Sequence, residues 1–313
     1  MKSVMKKFAS MIITLFAVSF LVFLSFDLIP GDAATAQLGI QATPERLELL
    51  REQLGLNRPF IVRYFDWLSH FVIGDMGTSY SYSKPVTSMV ADKLPITITM
   101  VIFAFAMVCL VSIPLGVYTA KHQGSVIDKI IVVVNQILMA LPPFFSGIIL
   151  TVLFGVVLKW FTPGAFVNYS KNFGKFLNYM IYPAIAVAIP KIAMSTKILR
   201  TSILEEANKD YVRTAYSRGN KTGEVLYKHV LKNSLIPVVT FLGMALADMV
   251  AGSIIVEQVF NIPGLGKTML ISISNRDYPV VEAIIMLIAF LVVFFNFLVD
   301  VLYRVIDPRM RES

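Results

Sequence analysis

Six long apolar stretches alternate with polar segments along this chain. Residues 8–26, 94–120 and 130–158 contain no acidic or basic side chain. Residues 177–199 carry only Lys191 and Lys197 among apolar neighbours, residues 235–256 carry Asp248, and a last run follows Pro279 to about Tyr303. A helix crosses the hydrocarbon core with about 20 residues, so each stretch is long enough to span. The pattern predicts an all-α polytopic membrane protein with six transmembrane helices. The start, with Lys2, Lys6 and Lys7 ahead of an apolar run, has the look of a signal peptide. The run is longer than a signal core and no small-x-small cleavage site follows, so it reads as a retained first span. The third stretch exceeds a straight crossing and contains Pro142 and Pro143, which are expected to kink or break it.

The polar segments have their own periodicity. In residues 31–93, Thr43 can cap a helix with Pro44 in its first turn, running to Leu54 before Gly55. After Pro59, the residues Phe60, Tyr64, Trp67, Leu68 and Phe71 fall on one helical face that ends at Gly74, a face that needs a membrane surface or a protein to lie against. A turn-forming cluster follows, Gly74, Asp75, Met76, Gly77, Thr78 and Ser79, and then an amphipathic run over 84–93. In residues 201–233 the pattern predicts a short helix, a corner at Gly219 and a second short helix from Thr222 to Lys232. Val212, Ala215, Tyr216, Val225, Leu226, Val230 and Leu231 give each of these one sticky face, which suits either a solvated loop or an element that docks on a partner. The expected domains are an N-terminal span in 1–30, an extracytoplasmic helical segment in 31–93, a five-helix core in 94–304 that includes the segment 201–233, and a tail in 305–313.

Composition agrees with this division: 56% of the residues are hydrophobic and 15% charged. With six spans, 313 residues leave no room for a soluble catalytic domain beside them. The formal charge of +8 is concentrated at the amino terminus, in 121–129, in 200–232 and in 304–311. By the positive-inside tendency, both termini and the segment 201–233 then face the cytoplasm, and 31–93 lies outside. The excess of positive charge is an anchor against anionic lipid, and nucleic acid is not expected as a partner. The single cysteine, Cys109, lies in an apolar run and is expected to pack.

Little catalytic chemistry survives inspection. Residues 264–268 look like the end of a phosphate-binding loop, but position 261 is Asn261 where that loop needs glycine, and no nucleotide or other cofactor is expected on this chain. His70, His122 and His229 are scattered over polar segments, so no metal site is expected. The ionisable groups inside spans are the remaining candidates. Counted from the predicted helix ends, Lys191 and Asp248 stand roughly 10 Å apart in depth, which disfavours a direct pair. Asp248 is expected to face an aqueous path or a polar partner such as Asn135 or Gln136, and with the break at Pro142 these four mark a candidate translocation pathway. A secondary transporter driven by an ion gradient is the competing class; it would favour an acid relay and inverted repeats. A membrane enzyme lacks a catalytic constellation.

Several motifs, in order along the whole chain, carry a family resemblance. They are Leu28, Ile29, Pro30, Gly31 and Asp32; the run Gly74 to Ser79; Asp210, Tyr211, Val212, Arg213, Thr214 and Ala215 with Gly219, His229, Leu231 and Asn233; Val256 to Gly266; and the ending Asp307, Pro308, Arg309. The chain resembles the OppB/DppB-type permeases of bacterial ABC importers for peptides and nickel. That resemblance implies a type I importer permease fold in the bacterial inner membrane. It also implies a second homologous permease subunit, two cytoplasmic ATPases that bind ATP and Mg, and an extracytoplasmic substrate-binding protein. Residues 213–219 occupy the place of the coupling motif, Glu-Ala-Ala followed by three residues and glycine. Only Ala215 and Gly219 match the general pattern, and its later isoleucine and proline positions fall on His229 and Lys232. The implied ATPase-coupling residues are Asp210, Arg213, Thr214, Ala215, Gly219 and His229. Trp67, Asp75 and Glu257 are expected to face the receptor or a gate. Peptides are the first expectation for substrate and nickel or a metal chelate the second.

Overall fold

The computed structural model describes residues 2–29, 33–38, 43–53 and 55–306, and nearly all of them are helical. Pro30, Gly31 and Asp32, Leu54, and the ending Asp307, Pro308 and Arg309 lie outside the described residues. In chain order the helices are α1 (Lys2–Asp27), α2 (Ala33–Leu38), α3 (Pro44–Gln53), α4 (Phe60–Val72), α5 (Val86–Lys121), α6 (Val126–Ala140) and α7 (Pro143–Leu150). They continue with α8 (Phe173–Ala207), α9 (Asp210–Ser217), α10 (Thr222–Val225), α11 (Leu231–Val259), α12 (Leu265–Ser274) and α13 (Tyr278–Ile306). Five of the helices are long and apolar enough to cross a membrane. A sixth span exists if α6 and the stretch Pro143–Val157 count as one, bent by 106°. The expected break falls at the two prolines: Leu141 and Pro142 are extended, and Pro143 opens the next helix, where a missing N–H costs nothing. The chain divides into two compact bodies, Met1–Thr97 with Pro263–Val293, and Ile98–Ile262 with Phe294–Ser313.

In the first body, the amphipathic face of α4 finds its partner within the chain. Phe16, Phe20 and Phe23 recur on one side of α1, and their rings lie 5.9 Å from Tyr64, 5.4 Å from Tyr64 and 5.4 Å from Trp67 respectively. A hydrogen bond of 2.8 Å joins the Ser19 and Tyr64 hydroxyls in this aromatic layer, and Arg63 donates to Asp27 at 2.6 Å. The predicted caps hold: the Thr43 hydroxyl accepts from the Arg46 N–H, and Gly55 and Gly74 adopt φ of +65° and +92° at the ends of α3 and α4. A second layer packs Val86 and Val90 of α5 against Leu265 of α12 and Val280, Ala283 and Ile284 of α13.

The turn motif from Gly74 to Ser79 is fastened by a carboxylate far along the chain. Asp277, fully buried, accepts from the Ser79 hydroxyl at 2.5 Å and from the backbone N–H groups of Tyr80 at 2.9 Å and Ser81 at 3.4 Å. Gly77 at φ +79° lets the chain reverse so that its carbonyl receives the Val86 N–H at the start of α5. Burial, with the nearby carboxylates Glu282 and Asp277, holds the Tyr80 phenol far above its ordinary range, so it stays a neutral donor.

In the second body, α8 and α11 form the most extensive helix pairing, and α6 and α7 both lie on α8. Close approach depends on small residues. A Cβ on Gly116 would meet Leu199 of α8 at 2.9 Å, and one on Gly243 would collide with Val299. Ser112 donates to Ser195 at 2.9 Å, pairing two buried hydroxyls between α5 and α8. Arg200 of α8 makes a two-pronged contact with Asp128 in the first turn of α6, both at 2.8 Å, and that carboxylate also accepts the Gly124 N–H at 2.9 Å. After α7 the chain widens into a π-helical turn over Thr151–Val157 before leaving the helix.

Replacing Asp277 by alanine strands three donors in a buried site, and a loss of about 3 kcal/mol is expected. Thermal melting of the detergent-solubilised chain checks it: an unchanged midpoint would mean that Asp277 does not fasten the turn.

Candidate functional site

The segment between α8 and α11 is held by one carboxylate. Glu206, in the last turn of α8, is buried; it accepts from the Tyr211 hydroxyl of α9 at 2.7 Å and from the Asn233 amide of α11 at 3.1 Å. Asn233 also donates to the Tyr211 oxygen at 3.1 Å, and the Lys209 ammonium closes the group at 2.5 Å from Glu206. Three helices therefore meet at a single side chain. Burial, then the bond to the Glu206 carboxylate, pushes the Tyr211 hydroxyl above the ordinary phenol range, so it remains the donor. The corner itself is Gly219 at φ +83°, a left-handed conformation with open space where a side chain would stand. The Asn220 amide folds back onto the Ala215 carbonyl at 3.1 Å.

The expected second short helix is not separate. α10 passes through a π-helical turn, Leu226–Val230, directly into α11, so the lower end of the span and the corner are one continuous rod. The sequence carries no glycine or proline between Val225 and Ile236 that would stop it.

The six expected coupling residues divide between two faces. Asp210, Arg213 and Thr214, with Ser217, recur at helical spacing on the exposed side of α9, and Gly219 and His229 are exposed as well. Ala215 is 6% exposed, and Val212, Val225 and Val230 are buried as well. The apolar side of α9, Val212 and Ala215, is thus the buried one.

The membrane groups are arranged differently from the expectation. Lys191 Nζ lies 2.7 Å from Asp248 Oδ2, a direct ion pair where depth counting had disfavoured one. α8 begins earlier and α11 continues lower than the hydropathy boundaries, so both residues stand near the middle of helices that pack along their lengths. The flexible lysine stem covers the remaining offset. Asn135 and Gln136 are not partners of Asp248; they line a small cavity of about 90 Å³ with Lys197, Arg200 and Thr201. Pro142 stands at the break between α6 and α7, where its carbonyl accepts the Phe145 and Ser146 N–H groups at 3.0 and 3.1 Å.

At the other candidate surface, Trp67 packs on Phe23 in the wall of a cavity of about 570 Å³ that also receives Arg58, Arg63, His70, Asp75, Tyr80 and Glu282. The Asp75 carboxylate accepts the Gly77 N–H at 3.0 Å, so it shapes the turn. Glu257, the third residue expected to face the receptor or a gate, is fully buried. The loop at 264–268 does not form an anion cradle: Leu265 and Gly266 are buried, and the Leu265 N–H is spent on the Thr97 hydroxyl at 3.0 Å.

Residues 112–312 match the family described as binding-protein-dependent transport system inner membrane component, and residues 1–101 match the N-terminal region of such components. The chain belongs to this permease family. It is similar to the oligopeptide transport system permease protein AppB of Bacillus subtilis, 36% identical over 299 residues and 95% of each chain. It is likewise similar to the dipeptide transport system permease protein DppB of Alkalihalophilus pseudofirmus, 32% identical over 327 residues and 98% of each chain. The permease is thus a multi-pass inner membrane component of the OppB/DppB type, and the corner after α8 falls within the matched region.

Sequence reading did not single out three residues that join distant parts of the chain: Glu206, one of two adjacent acids; Asp277, in a polar stretch; and Asp128, beside Lys129. Each is a buried hub, and only the distant partners Asn233, Ser79 and Arg200 reveal it.

Glu206→Ala should lower stability by about 3 kcal/mol, because it leaves Lys209, Tyr211 and Asn233 without their acceptor. Limited proteolysis should then cut within 208–221 well below the global melting temperature. Protection equal to the unsubstituted chain would show that the carboxylate does not hold the corner.

Proposed function

We propose that this permease forms half of the translocation path of an ATP-driven peptide importer, with both termini and the α9 corner on the cytoplasmic side. A second permease subunit completes the path, two cytoplasmic ATPases drive it, and an external binding protein delivers substrate. The reading as a peptide carrier rests on what AppB and DppB are named for. The reading as an ATP-coupled gate rests on one observation: α9 presents an exposed polar face on a corner whose underside is tied through Glu206 to both α8 and α11. A push on that face cannot be absorbed locally. It reaches α8 through Glu206 and α11 through the unbroken α10 rod, and packed helices answer such a push by switching between discrete arrangements.

The docking contacts in this reading are Asp210, Arg213, Thr214 and His229. Ala215 and Gly219 act one step back, by letting the corner close. Variants at the two groups should therefore fail differently. Arg213→Glu reverses a charge whose side chain makes only a loose 3.8 Å contact with Asp210, so melting should be unchanged. Import by the reconstituted complex should fall about tenfold or more, with less ATPase co-purifying. Ala215→Leu should lower the melting temperature and import together. Normal import and ATPase recovery with Arg213→Glu, or pumping by the isolated chain on an ion gradient, would overturn the reading.

A further inference from the structure

Two of the ion pairs in the second body, each between helices, are built in opposite ways. In the Arg200–Asp128 pair the carboxylate is 3% exposed, gripped by two guanidinium nitrogens and by the Gly124 N–H. Every feature of that pair serves to lock α6 to α8. In the Lys191–Asp248 pair only one carboxylate oxygen is engaged, by one ammonium at 2.7 Å; the lysine is 21% exposed and the aspartate 65%. A lock does not leave its acid open.

The open acid has defined surroundings. Met244, Asp248, Ala251 and Ile255 recur at four- and three-residue intervals and are all exposed, so they form one stripe along α11. Lipid does not cover a stripe with an ionised carboxylate at its centre, since ionisable groups inside spans face a bundle interior or a water-filled cavity. On the reading of this chain as a peptide importer permease, that stripe faces the path.

We propose that the Lys191–Asp248 pair is a charge-exchange site in the translocation path. Asp248 accepts the α-ammonium of a passing peptide, and Lys191 supplies the ammonium that occupies the carboxylate when no peptide is there. The two ammonium groups are chemically alike, each a compact cation with three donors. Exchanging one for the other leaves Asp248 paired throughout, so substrate enters without the carboxylate ever standing alone in the membrane. The displaced Lys191 is free to meet the peptide's carboxylate.

The test uses the complete complex with its binding protein in vesicles, and compares uptake of a tripeptide with a free amino terminus and its N-acetyl counterpart, each corrected for receptor occupancy. The unsubstituted complex should favour the free amine by about tenfold. Asp248→Asn should lose that preference, whereas Asp248→Glu and Lys191→Met, which keep the carboxylate, should retain it. The same preference in Asp248→Asn as in the unsubstituted complex would overturn the proposal and leave the importer reading standing. No uptake of either peptide by the unsubstituted complex would overturn both. A second measurement covers failed assembly of Asp248→Asn. Ala251→Cys in a Cys109→Ala chain places a thiol on the same stripe, beside the native carboxylate. A membrane-impermeant cationic thiol reagent should label it during ATP turnover, and the free-amine peptide should slow labelling more than the N-acetyl form does. Absence of labelling, or equal slowing by both peptides, would overturn the site.

Discussion

An ionised carboxylate inside a membrane protein has to be matched by donors from its own chain, because neither lipid nor a packed helix bundle hydrates it. Moving such a group to the centre of a spanning helix costs about 2.5–3.5 kcal/mol on insertion scales even after relaxation. The fold is arranged around four carboxylates that meet this demand. Asp277 fastens the 74–85 turn, Asp128 joins α6 to α8, Glu206 closes the corner after α8, and Asp248 holds Lys191 between α8 and α11. Each takes its partner from a different helix or turn, so satisfying the charge and fixing the tertiary arrangement are the same event.

The four differ in how far they are closed. Asp277 and Asp128 are enclosed, with several short bonds each. Glu206 is enclosed and joins elements on both sides of a corner. Asp248 is open. Apolar packing holds the helices together as well. Gly116 and Gly243 allow helices to approach within the width of a side chain, so the rods move as units.

The aromatic layer between α1 and α4 resolves another demand by the same internal logic. A short helix with Phe60, Tyr64 and Trp67 on one face is unstable alone in water. Phe16, Phe20 and Phe23 give it a complementary ridge, and the buried hydroxyls of Ser19 and Tyr64 satisfy each other. What reads as a candidate contact surface for an external partner is in large part the chain's own packing. Trp67 packs its ring against Phe23 and Phe71.

The sequence alone determined the helical class, the apolar stretches, the break at Pro142 and Pro143, the caps at Thr43, Gly55 and Gly74, the glycine corner at Gly219 and the family. All of these follow from near-neighbour chemistry: hydrophobic period, proline's missing N–H, glycine's access to positive φ, and local motif order. The tertiary structure decided which face each residue shows and whom it meets. Ala215 was legible as part of the corner, but that it is buried while Arg213 and Thr214 beside it are exposed is a tertiary fact. Lys191 and Asp248 were legible as ionisable groups inside apolar stretches. Their pairing depends on the register between α8 and α11, which counting residues from hydropathy edges fixes only to within a helical turn or two. Glu206, Asp128 and Asp277 looked ordinary because a carboxylate's role is set by partners up to 198 residues away, and no local pattern records a contact of that range.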